Sequence, residues 1–376
     1  MEKQEKVLNK LKNSLNSGQA NTALGVKNND ECYTAPQDIM NELSYWAALD
    51  KFRGKNIICP CDWDIVDGES IYSITITYKE DGVEVIGNGA YKTVKSVVYD
   101  LWSDDDTPVI TRITLKEEEI EDFLRDKLTC NFVRTLTQNA RRWGIKSITA
   151  SGYNPANNKG IKFQDIDYSK YDICITNPPF SLKTEFMDCI VDKIDFIVLL
   201  PFVSRNKNPI GIPMMLGKAY LGYGIECHLT FKNPTKANNY CGVKTVNCDW
   251  ITSFPEAQQE RNSKHFKSGV KYELYKDDFV VVDKMIMKDG TSPIRVSMST
   301  YPEDYDGWMF ANIGVLDNLD QDTYEWYSTD TTGFFNNHPV GKTLSPYKGH
   351  WTCDKIAIGT KKLFGGIVFR KKPKGE

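Results

Sequence analysis

The sequence lacks any apolar stretch that approaches the roughly 20 residues a helix needs to span a bilayer. Its opening stretch, MEKQEKVLNKLKNSL, also lacks the apolar centre of a secretory signal. These two absences argue against a membrane protein and a secreted one, and they predict a cytoplasmic protein. The 376 residues are sufficient for two domains, each with its own core.

Metal-binding patterns are equally absent. The chain has ten cysteines, but no two of them form a CxxC pair, and its four histidines show no metal-ligand spacing. A structural zinc site needs paired ligands in tight loops, so we predict no metal. The cysteines are interpreted as free thiols in a reducing compartment, where they serve as small core residues.

The sequence has little net charge, −3 from 47 basic and 50 acidic residues, which is not typical of a globally basic nucleic-acid-binding protein. The charge is nevertheless uneven. Six basic residues and a single acid, Glu226, lie between Ser204 and Lys244, and acids dominate residues 100–126. This distribution indicates that one face can bind a polyanion, with ordinary solvated loops as the alternative.

Short apolar runs alternate with amphipathic stretches from residue 36 to residue 200. The runs are typical of buried parallel strands, and the stretches between them are predicted helices. This alternation predicts an α/β domain with a mostly parallel sheet. The predicted strands are Asn56–Cys59, Lys146–Ser151, Asp172–Thr176 and Phe196–Leu200, and the predicted helices are Pro36–Leu49, Glu117–Trp143 and Leu182–Ile194.

Two further segments have a β pattern. Residues Ile71–Asp100 alternate between apolar and polar and contain Asp81-Gly82, which predicts a β-hairpin inserted after the first strand. After about Phe254 the pattern becomes strand-rich and aromatic, and the stretches typical of strands are VVVDKMIM, IRVSMS, GWMFANIG and FGGIVF. We therefore predict a second, mainly β region in the C-terminal part of the chain.

The stretch DICITNPPFS, Asp172–Ser181, ends a predicted strand with two prolines and an aromatic ring that we expect to be exposed. Ligands bind beyond the carboxyl ends of parallel strands, where Asn177 lies. The prolines lack N–H groups and hold the Pro178 carbonyl outward, so this carbonyl and Asn177 Oδ1 form two fixed acceptors. A planar exocyclic amine fits both acceptors, and Phe180 can stack on the ring that carries it. The alternative is an ordinary strand-to-helix turn.

DICITNPPFS resembles the catalytic motif of amino-methylating, S-adenosylmethionine-dependent methyltransferases. DECYTAPQDIMNELSYW (Asp30–Trp46) and NIICPCDWD (Asn56–Asp64) resemble the opening segment and the first strand of EcoRI-type adenine-specific DNA methyltransferases. SITASGY, NCDWITSF and, more weakly, DYDGWMFANIGVLDNLD and FGGIVFRKK are similar to later segments of that family, in the same order. CPCDWD contains no glycine, so the glycine-rich turn of most methyltransferases is absent while the EcoRI-type pattern is kept.

The resemblance implies a class I, Rossmann-like methyltransferase domain with S-adenosylmethionine as cofactor. We expect a basic mobile arm over residues 1–29, a catalytic domain over 30–255 with an insertion at about 65–115, and a target-recognition region over 256–376. The implied activity is methyl transfer to the N6 amine of a flipped-out adenine in a specific duplex DNA sequence. The alternatives are a methyltransferase of an RNA base or a protein amide, and an inactive nucleic-acid-binding relative.

The resemblance also assigns site residues. Tyr33 and Thr34 would line the methionine end of the cofactor, and Ser151 would stand where many relatives bind the ribose. Asp165 would accept a hydrogen bond from the adenine amine of the cofactor. Core packing of Tyr33 and a helix cap formed by Asp165 are the alternatives. The turn under the cofactor would consist of Cys59, Pro60, Cys61 and Asp62, and the target base would be held by Asn177, Pro178, Pro179 and Phe180, with Asn177 also facing the cofactor.

Duplex DNA is the expected partner, and the chain is expected to act as a monomer. A cognate restriction endonuclease acting on the same site is a candidate partner, with no direct contact implied. Flipping a base out of the duplex costs a few kcal/mol, which phosphate contacts help to offset. The predicted phosphate contacts are Arg205, Lys207, Lys232 and Lys236, together with Lys3, Lys6, Lys10 and Lys12 of the arm.

Overall fold

We describe the fold from a computed structural model. It describes residues 33–63, 71–80, 82–89, 109–115, 130–154, 158–201, 210–224, 227–232, 243–265, 270–297, 301–329, 335, 341–348, 357–358, 361–362 and 366–373. Within these ranges, no helix is long and apolar enough to cross a bilayer. Within the same ranges, no cluster of acidic, histidine and cysteine side chains could hold a metal ion.

Strands and helices alternate through most of the described part of the chain. The strands are β1 (Tyr33–Thr34), β2 (Asn56–Cys59), β3 (Ile71–Lys79), β4 (Gly82–Gly89), β5 (Val109–Leu115), β6 (Ser147–Ser151), β7 (Tyr153–Asn154), β8 (Lys159–Gly160), β9 (Ile173–Thr176), β10 (Asp195–Pro201), β11 (Tyr220–Leu221), β12 (Cys227–Lys232), β13 (Val243–Thr252), β14 (Ile294–Arg295), β15 (Met309–Asn312), β16 (Tyr324–Ser328), β17 (Ala357–Ile358), β18 (Lys361–Lys362) and β19 (Gly366–Lys371). The α-helices are α1 (Pro36–Ala48), α2 (Asn131–Trp143), α3 (Lys183–Ile190), α4 (Gly211–Met215), α5 (Glu256–His265), α6 (Tyr272–Tyr275) and α7 (Gly341–Leu344). The 3-10 helices are Phe163–Asp165, Tyr168–Lys170, Phe180–Leu182, Lys276–Asp278 and Ile313–Asp317.

The chain divides into two compact units. The first comprises Met1–Pro201 and Glu226–Ile251, and the second comprises Phe202–Ile225 and Thr252–Glu376. All the segments that carry the predicted catalytic and cofactor-binding residues belong to the first unit.

The first unit is built on one mixed sheet with the strand order β1-β12-β13-β10-β9-β2-β6-β3-β4-β5. At its centre, β10, β9, β2 and β6 pair in parallel. On one side β12 pairs antiparallel with β1 and β13, and on the other side β3 pairs antiparallel with β6 and β4. The mostly parallel sheet predicted from the sequence therefore corresponds to the centre of a larger mixed sheet.

The four central strands are buried, which explains their nearly continuous apolar sequences. Ile57, Ile148, Ile175 and Ile197, one from each strand, are all 0% exposed. The predicted strand Asn56–Cys59 is observed with the same bounds. Two of the other predicted strands begin one residue later than predicted, and the strand predicted over Phe196–Leu200 is one residue longer at each end. Local sequence pattern therefore suffices to locate the centre of the sheet.

The helix α2 is shorter than the sequence predicted. It begins at Asn131 because Cys130 is extended, with φ −75° and ψ 122°. The prediction of one continuous helix over Glu117–Trp143 is therefore wrong, and residues 116–129 lie outside the described residues. The helix ends at Gly144, whose left-handed conformation (φ 67°) favours glycine at this position.

The helices α1 and α3 follow the predicted order. Pro36 starts α1, where its missing N–H is not needed. Helix α3 ends at Ile190 rather than at the predicted Ile194, because Val191 is extended (ψ 134°) and Asp192 has a positive φ of 67°. Neither conformation continues a helix.

The strands β3 and β4 form an antiparallel hairpin that extends the main sheet. Gly82 begins β4 with a φ of 148°, which suits a residue without a side chain. A hydrogen bond of 2.9 Å between the Thr75 and Thr149 hydroxyls joins the hairpin to β6. The hairpin is thus a lateral extension of the parallel strands, with β5 paired to its outer strand.

The second unit contains a four-stranded sheet with the order β14-β15-β19-β16. GWMFANIG and FGGIVF contain β15 and β19, which pair antiparallel. The prediction of a strand at VVVDKMIM is wrong, because Val281 and Met287 form only isolated bridges. Val282, Met285 and Met287 are buried, whereas Val281 is 53% exposed, so the segment covers the core with some of its side chains without joining a ladder.

A polar network closes one edge of this sheet. Arg370 lies 4.3 Å from the centre of the Trp308 ring, and its Nε donates to Glu325 Oε1 at 2.6 Å. Trp308 Nε1 donates to Asp289 Oδ2 at 2.9 Å. The first cation of the basic stretch 370–374 is therefore neutralised inside the second unit.

Candidate active site

The carboxyl ends of the parallel strands meet at one edge of the central sheet. Strand β2 ends at Cys59, β6 ends at Ser151 and β9 ends at Thr176. The turn 60–62 and the corner 177–179 follow β2 and β9 directly. Because β2 lies between β6 and β9, segments that are far apart in the chain are brought side by side at this edge.

Thr34 and Asn177 are in contact at this edge. Asn177 Nδ2 donates to Thr34 Oγ1 at 3.4 Å, and Thr34 is 2% exposed. The carbonyl oxygen of Thr34 accepts a hydrogen bond of 2.8 Å from Asn131 Nδ2. Since the amide nitrogen of Asn177 faces Thr34, its Oδ1, which is buried, points in the other direction. The structure thus joins the DECYT segment to the NPPF segment.

Asp62 is fixed in the turn that follows β2. Its backbone N–H donates to the Ser151 carbonyl at 3.1 Å, and Cys130 Sγ donates to its Oδ1 at 3.0 Å. The Ser151 hydroxyl in turn donates to the Pro60 carbonyl at 3.5 Å. Asp62 is 5% exposed. A carboxylate held in this way can accept hydrogen bonds from ligand hydroxyls or attract a cationic group.

Three buried thiols around this edge are neutral. Burial raises the pKa of the Cys59, Cys130 and Cys174 thiols well above the ordinary value, and the nearby Asp62 carboxylate raises it further. A thiol in this state is neither a nucleophile nor a metal ligand. These three buried thiols therefore take no part in the chemistry of the site as nucleophiles or metal ligands.

The corner after β9 is partly enclosed. Pro178 is buried, whereas Asn177 and Pro179 are half-buried. Phe180 begins the 3-10 helix that leads into α3 and is only 4% exposed. The prediction of an exposed Phe180 ring is therefore wrong, because the chain turns inward into a helix at this residue. The carbonyl oxygen of Phe180 accepts a hydrogen bond of 3.2 Å from Lys183 Nζ.

Asp165 is an exposed residue at the end of a short 3-10 helix, Phe163–Asp165. Phe163 fixes this helix to α3 by edge-on packing against Phe186, with 5.3 Å between the ring centres. The cap of the next 3-10 helix is Asp167, which accepts from the Ser169 N–H at 3.3 Å. Asp167, not Asp165, therefore caps the 3-10 helix that follows, and the Asp165 carboxylate faces solvent.

Several predicted site residues lie wholly or partly outside the described residues. Tyr33 and Lys232 face each other as backbone partners of β1 and β12, and their side chains are outside the description. The other predicted contacts outside the described residues are Lys3, Lys6, Lys10, Lys12, Arg205, Lys207 and Lys236.

Three residues at this edge were not predicted from the sequence. Two of them lie at the start of α2, where Cys130 contacts Asp62 and Asn131 contacts Thr34. No local sequence pattern indicates these contacts, because they depend on how α2 packs. Gly152 directly follows β6, and a Cβ atom there would overlap the Trp63 carbonyl oxygen. The glycine directly after a predicted strand in SITASGY was the available signal.

Comparison with known proteins identifies the family. The family model described as adenine-specific methyltransferase EcoRI matches residues 20–372, nearly the whole chain. No curated protein and no solved structure matches the chain. The matched range includes every described residue of the first unit, and the mixed α/β architecture is consistent with a methyltransferase fold. The resemblance inferred from the sequence is confirmed: this chain belongs to the EcoRI family of adenine-specific methyltransferases.

Proposed function

We propose that the chain transfers a methyl group from S-adenosylmethionine to the N6 amine of an adenine in duplex DNA. The observation that carries this proposal is the contact between Asn177 and Thr34, at the same sheet edge as the turn that holds Asp62. This contact joins the segment expected to hold the target amine to a segment expected to hold the cofactor. Membership in an adenine-specific methyltransferase family supports the same chemistry.

The polar atoms at this edge suit S-adenosylmethionine, which carries ribose hydroxyls, an amine and a carboxylate. The Asp62 carboxylate and the Ser151 hydroxyl provide hydrogen-bonding groups there. Thr176 Oγ1 is buried and has no hydrogen-bond partner among the described residues, an arrangement that a ligand would relieve. When bound, the cofactor supplies an electrophilic methyl group. It would be held by Thr34, Cys59, Pro60, Cys61, Asp62, Ser151 and Asp165.

Asn177 and Pro178 activate the target amine in this proposal. The lone pair of adenine N6 is delocalised into the ring, so the amine is a poor nucleophile. Asn177 Oδ1 and the Pro178 carbonyl accept hydrogen bonds from its two N–H groups, which orients the nitrogen and raises its electron density. As the bond from nitrogen to the methyl carbon forms and the carbon–sulfur bond breaks, these acceptors stabilise the positive charge on nitrogen. One proton then leaves to water, since the neutral amide of Asn177 is too weak a base to take it.

The duplex hides the target amine in its stack, so the adenine must be flipped out at a cost of a few kcal/mol. We infer that Phe180 meets the flipped ring through the small part of its surface that is uncovered. Residues 256–376 would recognise the target sequence, and the basic segments 1–29 and 204–244 would bind phosphates. A monomer that methylates one specific sequence is suited to protect that sequence from a restriction endonuclease.

A product assay tests this proposal. The protein is incubated with radiolabelled S-adenosylmethionine and duplex DNA, RNA or protein, and the digested product is identified. We expect N6-methyladenine from duplex DNA alone. Asn177→Ala should lower the rate by roughly a hundredfold or more, whereas Asn41→Ala, which removes an exposed amide on α1, should match the wild type. Labelling of only RNA or protein contradicts the proposal, and no labelling of any substrate supports an inactive relative.

A further inference from the structure

The first helical residue of α2 and the residue before it reach two different segments of the candidate site. Cys130 Sγ donates to Asp62 Oδ1 at 3.0 Å, and Asn131 Nδ2 donates to the Thr34 carbonyl at 2.8 Å. Thr34 accepts from Asn177 through its hydroxyl. Two adjacent residues at the start of α2 are thus connected to two parts of the site. Cys130 contacts the turn 60–62, here called the cofactor turn, and Asn131 is connected through Thr34 to the corner 177–179, here called the catalytic corner.

Thr34 has little backbone support of its own. It belongs to the two-residue strand β1, whose one partner among the described strands is β12, at the edge of the described sheet. A strand this short contributes little stability by itself. Thr34 is 2% exposed and its hydrogen bond from Asn131 is partly buried, so competition from water is reduced. Asn131 therefore helps to fix the backbone of Thr34, whose hydroxyl accepts the hydrogen bond from Asn177.

Cys130 constrains the carboxylate of Asp62 in the same way. Cys130 and Asp62 are 7% and 5% exposed, so water does not compete for their hydrogen bond. The backbone of Asp62 is already tied to Ser151, so the contact with Cys130 mainly fixes the side chain. Burial raises the pKa of this thiol, which keeps the proton that it donates.

We propose that Cys130 and Asn131 are positioning residues of the methyl transfer, Asn131 for the catalytic corner and Cys130 for the cofactor turn. This inference rests on the proposed function, because it uses the roles assigned there to Thr34, Asp62 and Asn177. Neither positioning residue touches a reacting atom. Loss of Asn131 should affect the chemical step and, through Thr34, cofactor binding as well, whereas loss of Cys130 should affect cofactor binding alone.

The test of Asn131 uses Asn131→Asp, which keeps the shape but has no N–H donor. A carboxylate suits the first turn of a helix, so a purely structural role for Asn131 predicts wild-type behaviour. The proposal predicts that kcat for DNA methylation falls about tenfold or more, whereas disturbance of the cofactor contact of Thr34 alone would raise KM for S-adenosylmethionine and leave kcat unchanged. Asn131→Ala repeats the test without adding a charge. Gln138→Ala, an exposed position on the same helix, is the matched control.

The test of Cys130 compares Cys130→Ala with Cys130→Ser. Serine keeps a donor for Asp62, and alanine removes it. Calorimetric titration with S-adenosylhomocysteine should show affinity about tenfold weaker for Cys130→Ala and within about threefold of the wild type for Cys130→Ser. Equal affinities for the two variants contradict the role of Cys130. For Asn131, a kcat within twofold of the wild type in both variants contradicts its role.

These experiments distinguish the proposed methyltransferase function from the positioning roles of Cys130 and Asn131. Wild-type labelling of RNA or protein instead of DNA refutes the proposed DNA substrate, and the variants are then compared on the substrate found. Wild-type DNA methylation with unaffected variants refutes only the positioning roles. A wild-type protein that neither transfers methyl groups nor binds S-adenosylhomocysteine refutes both.

Discussion

Gly152 offers a direct test of the close packing beneath the candidate site. It follows β6, and its N–H and carbonyl bond to neighbouring backbone on both sides, to Tyr72 and Ile161. A Cβ atom at this position would overlap the carbonyl oxygen of Trp63 and lie 3.0 Å from its carbonyl carbon. The contact is with backbone, so no side-chain rotation can relieve it.

The magnitude of Gly152→Ala follows from the required displacement. Carbon atoms pack at about 3.5–4.0 Å, so the peptide after Trp63 must move by the order of 1 Å. Overpacking of this kind costs about 1–3 kcal/mol, and weakening of the hydrogen bond between Asp62 and Ser151 adds about 1 kcal/mol. Alanine also makes the unfolded chain less flexible, which stabilises the folded protein by less than about 1 kcal/mol. We expect a net destabilisation of about 1–4 kcal/mol.

The assay is urea unfolding combined with titration of S-adenosylhomocysteine. The control is Gly54→Ala, where an added Cβ meets nothing within 4 Å but the φ of 70° is unfavourable for alanine. This control should lose about 1–2 kcal/mol and keep wild-type ligand affinity. Gly152→Ala should lose both stability and affinity, because the displaced turn carries Asp62. A Gly152→Ala protein as stable as the wild type would refute the close approach to Trp63.

Two predictions concern the pH dependence of the second unit. Partial burial raises the pKa of Asp289, but hydrogen bonds from Thr291 and Trp308 and the charge of Arg370 outweigh it and hold the pKa below the ordinary value. The contribution of Asp289 to the free energy of unfolding is therefore present above about pH 4 and is lost as the pH falls further. The urea midpoint of Asp289→Asn should therefore decline less on acidification than that of the wild type. Burial raises the pKa of Tyr324 to about 12. The contribution of Tyr324 to the free energy of unfolding is therefore complete below about pH 10 and is lost as the pH rises from there through the pKa of the folded protein. Tyr324→Phe should show a shallower loss of stability in alkaline unfolding, and an unchanged pH profile in either variant would contradict the corresponding prediction.

The predictions made from the sequence were accurate where structure depends on neighbouring residues. Asn56–Cys59 is a continuous apolar run, and such a run has one favourable place, a strand covered on both faces. Pro36 marked the start of α1 for an equally local reason. The helix predicted over Glu117–Trp143 failed at Cys130, because amphipathic periodicity does not show where an extended residue interrupts it.

The candidate site shows the same division. The position of Asn177 directly after a buried strand could be inferred from DICITNPPFS, since two prolines must end the strand. The burial of Phe180 could not be inferred, because it depends on the direction in which the chain continues. VVVDKMIM reads as a strand locally, but strand formation needs a partner ladder, and only isolated bridges are available at Val281 and Met287.

The sequence alone thus accounts for the central strands, the first helix and the chemical nature of the NPPF corner. Periodicity, prolines and apolar runs act over a few neighbouring positions, so they can be recognised without the tertiary structure. The contacts of Thr34 with Asn177 and of Asp62 with Cys130 arise only when the strand order places β2 between β6 and β9 and α2 packs against their ends. Such contacts depend on packing between distant segments, which short-range sequence patterns do not encode.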